Sequence, residues 1–314
     1  MGGATPATVK LLAALSVALS LTASTAASPK LAGCPVFPAT SVWNQRIDKL
    51  PVASDSATLV RSIGLDAAVH ADFGSGLYDG SRIGIPFDVV HGKKTPKSRV
   101  SFEYANESDK GPYPIPANVP IEGQPAHGNE GDRHALIVDR DSCKLYELFA
   151  LQRKGGRWTA GSGAIFDLRS NKLRPVGRTS ADAAGLPILP GLARWDGDAS
   201  TGVIRHALRF TAERTRRAFV YPARHYAGDS ADPSLPPMGL RVRLKASVVI
   251  SKLPHQARIV AQAMKTYGLI LADNGSPWFV SGAPSPHWSN DQLHALGALH
   301  GSDFEVVDTS HLRP

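Results

Sequence analysis

Arg133-His134-Ala135-Leu136-Ile137-Val138-Asp139, then Arg140-Asp141-Ser142, then Cys143-Lys144-Leu145-Tyr146-Glu147-Leu148-Phe149-Ala150-Leu151 is the stretch whose reading decides the fold. Two strand-like runs flank three turn-forming residues, which predicts a hairpin. Period-2 geometry puts Cys143, Leu145, Glu147 and Phe149 on one face of its second strand. Gly155-Gly156 turns the chain into Arg157–Leu168, and further strand candidates are Val203–Thr211, Ala218–Ala223 and Leu240–Val249. Between them lie Gly111–Pro116, Leu186–Gly191 and Leu235–Gly239, rich in Pro and Gly. Such stretches cannot propagate a helix or a central strand, so they read as ordered loops. The middle of the chain is therefore expected to be mostly antiparallel β.

The last sixty-odd residues change character. Pro254 starts a helix with Ile259, Val260, Ala263, Met264 and Tyr267 on one face, and Gly268 stops it. Leu269–Ala272 and Trp278–Ser281 flank Asp273-Asn274-Gly275, a tight-turn signal. Ser289 and Gln292 resemble a capping box for a second helix carrying Leu293, Leu296 and Leu299, and a strand Phe304–Val307 follows. The fold class expected is β-rich α+β: an antiparallel β-sandwich or barrel-like body over 29–250, with an α/β C-terminal section, 251–314, packed on the same domain.

At the other end, Lys10 precedes the apolar run Leu11–Thr22, which gives way to Ala23-Ser24-Thr25-Ala26-Ala27-Ser28. That order reads as a secretory signal peptide over 1–28, cleaved near Ala26 or Ser28, and it is too short to span a membrane. A secreted, extracellular or periplasmic protein without stable membrane insertion is expected. Leu31-Ala32-Gly33-Cys34 resembles a lipobox that would anchor the protein through Cys34, but Pro29 and Lys30 separate it from the apolar run. The chain has two cysteines, Cys34 and Cys143. In an oxidising compartment that count favours a bridge over lipidation, which would leave Cys143 as an odd thiol.

The chain carries 35 basic and 27 acidic residues, a formal net charge of +8, and the leader removes only Lys10 from that balance. A basic secreted protein sits comfortably against anionic surfaces or acidic polysaccharides, although a positive surface also simply aids solubility. No G-x-S-x-G, P-loop, G-x-G-x-x-G after a strand, H-E-x-x-H or C-x-x-C is present, which removes the common serine hydrolases, nucleotide enzymes and zincins. Asp196-Gly197-Asp198-Ala199-Ser200 starts like a calcium loop but has Ala207 where the bidentate Glu belongs, so it reads as a polar turn. Neither metal nor cofactor is part of the expected site. The expected protein is a monomer with a polysaccharide substrate, acidic glycans among the candidates, and no nucleic-acid partner.

Candidate catalytic residues follow from company and position. Glu147 shares a sheet face with apolar residues, and burial would raise its pKa as a general acid requires; the bland alternative is a rim carboxylate paired with an arginine. Thr179–Pro187, a small-residue stretch with no periodicity, carries one acid, Asp182, the first choice for a functional carboxylate. Asp139, Asp196 and Asp273 are reserves. His206 shares a face with Ile204, Leu208 and Phe210, and Arg205 and Arg209 take the other; an interior histidine of this kind, like His134 at the start of the hairpin, is more often a satisfied core residue than a catalyst. Arg241, Arg243 and Lys245 alternate with apolar residues, forming a basic row that would suit uronates or, more plainly, a solvated outer face. Trp158, Trp195, Trp278 and Trp288 lie at or beside turns, where they could stack on sugar rings or plug the core; the first three, with Arg241 and Arg243, make up the substrate-binding set.

Gly131–Asp139, Thr179–Leu192, His206–Phe210, Pro236–Ala246 and Ala272–Gly282 resemble a family of exported bacterial proteins loosely associated with glycan turnover. The resemblance spans nearly the whole chain beyond the leader. It implies carbohydrate work and assigns no residue a role. The leading expectation is a glycoside hydrolase using Asp182 and Glu147. The alternatives are a lyase on acidic glycans, with His206, His134 or Tyr146 as base, and a non-catalytic glycan- or wall-binding protein.

Overall fold

The hairpin forms where its turn residues place it. Strands Ala135–Asp139 and Lys144–Phe149 pair antiparallel with Ile137 opposite Tyr146. At its tip the Asp139 carboxylate accepts hydrogen bonds from the amides of Gly92 and Asp141, both at 2.9 Å, and from Ser142 Oγ at 2.6 Å. Those donors hold Asp139 below the usual carboxylate range against the opposing effect of burial, so this reserve acid is a turn cap. The structure, a computed structural model, describes residues 1–3 and 28–312; the apolar run of the leader and nearly all of its cleavage region lie outside the described residues.

Strand Ser162–Asp167 adds antiparallel to the far side of Lys144–Phe149, and Phe87–Val90 adds parallel to Ala135–Asp139, completing a four-stranded sheet. Both faces of this sheet are covered. Leu136, Val138, Leu145, Ala164 and Phe166 face the main core, while Ala135, Ile137, Tyr146 and Leu148 pack on Tyr113, Ile115, Val119 and Ile121 in a smaller one. Double-sided burial explains why Ala135–Val138 is continuously apolar.

A six-stranded sheet forms the other side of the main core, in the order Phe304–Val306, Arg241–Leu244, Leu269–Asn274, Leu208–Ala212, Phe279–Ser281 and His70–Asp72. It is mixed: Leu208–Ala212 runs parallel to Leu269–Asn274, and Phe279–Ser281 runs parallel to His70–Asp72. The protein is thus β-rich α+β, with several sheets, three short α-helices and no closed barrel among the described residues. The section after residue 250 inserts Leu269–Asn274 between strands contributed by the body, so one core runs through both.

Several expected elements change form. Helix His255–Thr266 follows Pro254 and buries Ile259, Val260, Ala263 and Met264, with Tyr267 just beyond. It ends at Gly268 with φ +72°, where a Cβ would sit 2.3 Å from the Val242 carbonyl oxygen. Ser289 caps the short helix Asn290–His294. Arg157–Leu168 breaks at Gly161 into Arg157–Ala160 and Ser162–Asp167, which belong to different sheets. Only Leu208–Ala212 of the Val203–Thr211 segment is a strand, and Ala218–Ala223 makes a single bridge, Phe219 to Met238. Leu269–Asn274 and Phe279–Ser281 do not form a hairpin. Each pairs instead with Leu208–Ala212, which lies between them and satisfies the inner edges of both.

Cys34 and Cys143 form a disulfide across 109 residues and pin the segment that starts at Ser28 to the hairpin turn. The sulfur a lipid anchor would use is therefore committed to the bridge. Such a bond suits a non-cytoplasmic compartment. Among the described residues no helix is long and apolar enough to cross a membrane. Closing a loop this long is worth roughly 4–5 kcal/mol in the chain-entropy account, with measured values often lower. The Cys34→Ser/Cys143→Ser double variant should melt roughly 5–15 °C below the native protein by calorimetry, at about 2–4 °C per kcal/mol. Thiol titration of the unfolded, unreduced native protein should find no free sulfhydryl.

Candidate functional site

Three parts of the chain converge on one cavity of about 230 Å³ between the two sheets. The four-stranded sheet contributes His134, Phe149 and Ser162 from strand ends, the loop at 179–183 contributes Asp182, and the C-terminal end of Leu269–Asn274 contributes Asp273 and Asn274; Asp132 and Tyr104 complete the wall. Four of the five stretches singled out in the sequence thus meet here, Arg209 representing His206–Phe210 just behind the wall.

The loop has no regular structure, yet its backbone is tied down. Ser162 Oγ donates to the Ser180 carbonyl at 2.6 Å, Ser180 Oγ accepts from the Asp182 amide at 2.9 Å, and the Ala184 amide donates to the Ala272 carbonyl at 3.1 Å. Asp182 is 1% exposed; its Oδ1 lies 3.4 Å from Arg209 Nη2, and its Oδ2 has no hydrogen-bond partner. Burial, with help from the nearby Asp273 and Glu147 carboxylates, pushes the Asp182 pKa up to about 7 although Arg209 opposes it.

Arg209 is the centre of this arrangement. The expected alternation assigned it to an outer face, but its side chain is buried: Nη1 donates to Ser281 Oγ at 2.9 Å, and Nη2 is 3.6 Å from Asp273 Oδ2. A bulge brings the second carboxylate within reach. Phe210 aligns with Leu271, but Thr211 aligns with Asp273, so one residue is skipped and Asp273 falls on the face of the sheet that Arg209 uses. Burial raises the Asp273 pKa as well, while Arg209 and an amide hydrogen bond from Asn274 oppose the shift.

His134 is also buried. Its Nδ1 lies 2.5 Å from Glu122 Oε2, and its Nε2 donates to the Ala181 carbonyl at 3.0 Å, steadying the loop beside Asp182. Burial alone would lower its pKa, but the Glu122 carboxylate outweighs that and raises it to about 9. His134 is therefore an imidazolium with both N–H groups engaged. Glu122, Asp132 and His134 present ligand atoms within 4.8 Å of one another, the one cluster among the described residues with the spacing of a metal site.

Glu147 is fully buried and does not line the cavity. Both of its oxygens accept from the Ile188 amide, at 3.0 and 2.9 Å, and Oε1 also accepts from the Leu189 amide at 2.9 Å. It anchors the loop from below. Burial raises its pKa to about 7 against the pull of those amides. His206 belongs to a separate sealed cluster, with Nε2 3.1 Å from Asp198 Oδ2, which also pairs with Arg194 at 2.7 Å. The calcium-like sequence therefore contributes Asp198 to a buried ion cluster.

The expected substrate-binding set disperses. Trp278 is fully buried, stacked between Phe210 and Phe304 at 5.4 and 4.7 Å. Arg241 is spent on the carbonyls of Tyr267, Val42 and Gln45, and Arg243 on Glu305 and the carbonyls of Ile47 and Leu50. The basic row is thus covered by the segment 42–50, which needs donors for its backbone oxygens. Trp158 lies under Arg153, and Trp195 lines a different cavity beside Asp196, with Arg82 and Pro284. No family model, curated protein or solved structure matches the chain.

Two predictions follow from the carboxylates. A pKa raised on folding stabilises below the unfolded value and loses that contribution as pH rises through the folded value. Asp182 should therefore cost stability progressively between pH near 4 and pH near 7. Urea midpoints for Asp182→Asn should fall less steeply with pH over this interval than those of the native protein, the slopes differing by up to about 1.4 kcal/mol per pH unit. The loss from His134, expected between its ordinary pKa and about 9, should appear equally in both proteins. Glu147→Ala leaves two buried amides without an acceptor and should cost about 2–4 kcal/mol of unfolding free energy. Glu147→Gln, which keeps one acceptor oxygen, should cost less.

Proposed function

We propose that this chain is a secreted polysaccharide-degrading enzyme, a glycoside hydrolase whose two working carboxylates are Asp182 and Asp273. The observation that carries the proposal is their geometry: both lie on the wall of one cavity, at 3.4 and 3.6 Å from the same guanidinium nitrogen. That shared contact keeps the two oxygens no more than about 7 Å apart, a limit that admits the spacing of a carboxylate pair flanking a glycosidic bond. Asp273 replaces Glu147 in the pair because both Glu147 oxygens are taken by amides and neither reaches the cavity.

The two environments divide the roles. Burial holds Asp182 protonated up to about pH 7, ready to give its proton to the departing glycosidic oxygen. Asp273, whose side chain is 27% exposed and whose carboxylate form is favoured by Arg209 and the Asn274 amide against the effect of burial, is the partner assigned to attack the anomeric carbon or activate water. Tyr104 and Phe149 offer aromatic surface to a sugar ring. Elimination on an acidic glycan would instead need a cation to neutralise the uronate beside the base. The wall carries neither Lys nor Arg, His134 has both nitrogens engaged, and His206 and Tyr146 are buried in other clusters, so hydrolysis is the better-supported reading. Secretion is supported by the leader pattern and the disulfide, and carbohydrate work by the resemblance to exported glycan-associated proteins.

A glycan panel assayed for new reducing ends tests the proposal. Asp182→Asn and Asp273→Asn should each lower kcat by about 10²–10⁴-fold with an unchanged circular dichroism spectrum, while Glu147→Gln, if folded, keeps most of the activity. Unsaturated products would replace hydrolysis with elimination. Glycan retention without any new reducing ends would leave only a binding module.

A further inference from the structure

The chain as a whole is strongly basic, at +8, but the cavity is not. Its wall includes three carboxylates, Asp132, Asp182 and Asp273, and neither Lys nor Arg. The two cations nearby are already committed. His134 is held by Glu122 and the Ala181 carbonyl, and Arg209 by Ser281, Asp182 and Asp273. Asp132 is exposed and enters no ion pair among the described residues, and buried Asp182 keeps an unpartnered Oδ2. An anionic sugar would meet Asp132 and Asp273 with no guanidinium or ammonium on the wall to receive it, and like charges at close range repel.

We propose that the sugar unit accepted here carries a positive charge, a hexosamine with a free amino group, with Asp132 as the residue that receives the ammonium. The proposal rests on the glycoside hydrolase reading of the same cavity and names its substrate class. An ammonium supplies three donors to a site rich in acceptors, and charge-assisted hydrogen bonds of this kind are about twice as strong as neutral ones. A divalent cation is the competing occupant, since Glu122, Asp132 and His134 stand close enough to ligate one. The ammonium is favoured because both His134 nitrogens are already engaged, one by Glu122 and the other by the Ala181 carbonyl.

Cleavage and calorimetric binding of three oligosaccharide series by the full protein decide the matter at low ionic strength: glucosamine, N-acetylglucosamine and galacturonate oligomers. The expected result is a preference of about 10-fold or more for the free amine over the N-acetyl series, with no measurable uronate binding. Asp132→Asn should erase most of that preference, lowering affinity for the free-amine series far more than for the N-acetyl series, with the melting temperature as it was. Uronates bound as tightly as amines, or a preference untouched by Asp132→Asn, would overturn the assignment. So would calcium or manganese alone binding the native protein and not Asp132→Asn. Hydrolysis with no amine preference sinks this inference and leaves the hydrolase reading standing, whereas no binding or cleavage of any glycan removes both.

Discussion

The Arg209 guanidinium, buried between Asp182 and Asp273 and backed by Ser281, is the interaction on which the arrangement of this protein turns. A buried cation on a central strand is tolerable only with partners, since removing one side of such a group leaves an uncompensated charge costing about 3–5 kcal/mol. Its partners come from segments far apart in sequence. Satisfying it fixes the 179–183 loop against the six-stranded sheet and aligns the end of Leu269–Asn274. Glu147 and His134 complete the clamp from the opposing sheet, one through the amides of Ile188 and Leu189 and the other through the Ala181 carbonyl.

This arrangement works against stability as well as for it. Asp182 and Glu147 are held where ionisation is disfavoured, with pKa values near 7, and a fold built for stability alone would put apolar side chains there. Of the two, only Asp182 lies on the cavity wall; Glu147 is held by the amides of Ile188 and Leu189. The remaining buried charges behave differently. Arg241 and Arg243 bind backbone carbonyls of the segment 42–50, and Arg194, Asp198 and His206 satisfy one another away from any cavity wall lined by the acids. Those groups hold the structure together and offer nothing to a ligand.

Local patterns were legible wherever a single segment decides its own conformation. The hairpin around Arg140-Asp141-Ser142, the helix after Pro254, its stop at Gly268 and the Ser289 cap all depend on residues within a few positions. The face shared by Cys143, Leu145 and Glu147 was legible for the same reason. Pairing between distant strands was not: Asp273-Asn274-Gly275 carries a hairpin signal, but Leu208–Ala212 competes for both flanking edges and takes them. Alternation also misplaced Arg209 and Arg241, because it assigns the second face of a strand to solvent and here other segments cover that face.

The sequence by itself determined the β-rich α+β class and the pairing of its two cysteines, each from composition or short-range chemistry. Only the tertiary structure decided which acid stands beside Asp182. A one-residue bulge opposite Thr211 turns Asp273 toward Arg209, while Glu147 is sealed beneath the loop. Strand register and burial depend on contacts between residues far apart along the chain, and no local pattern encodes them.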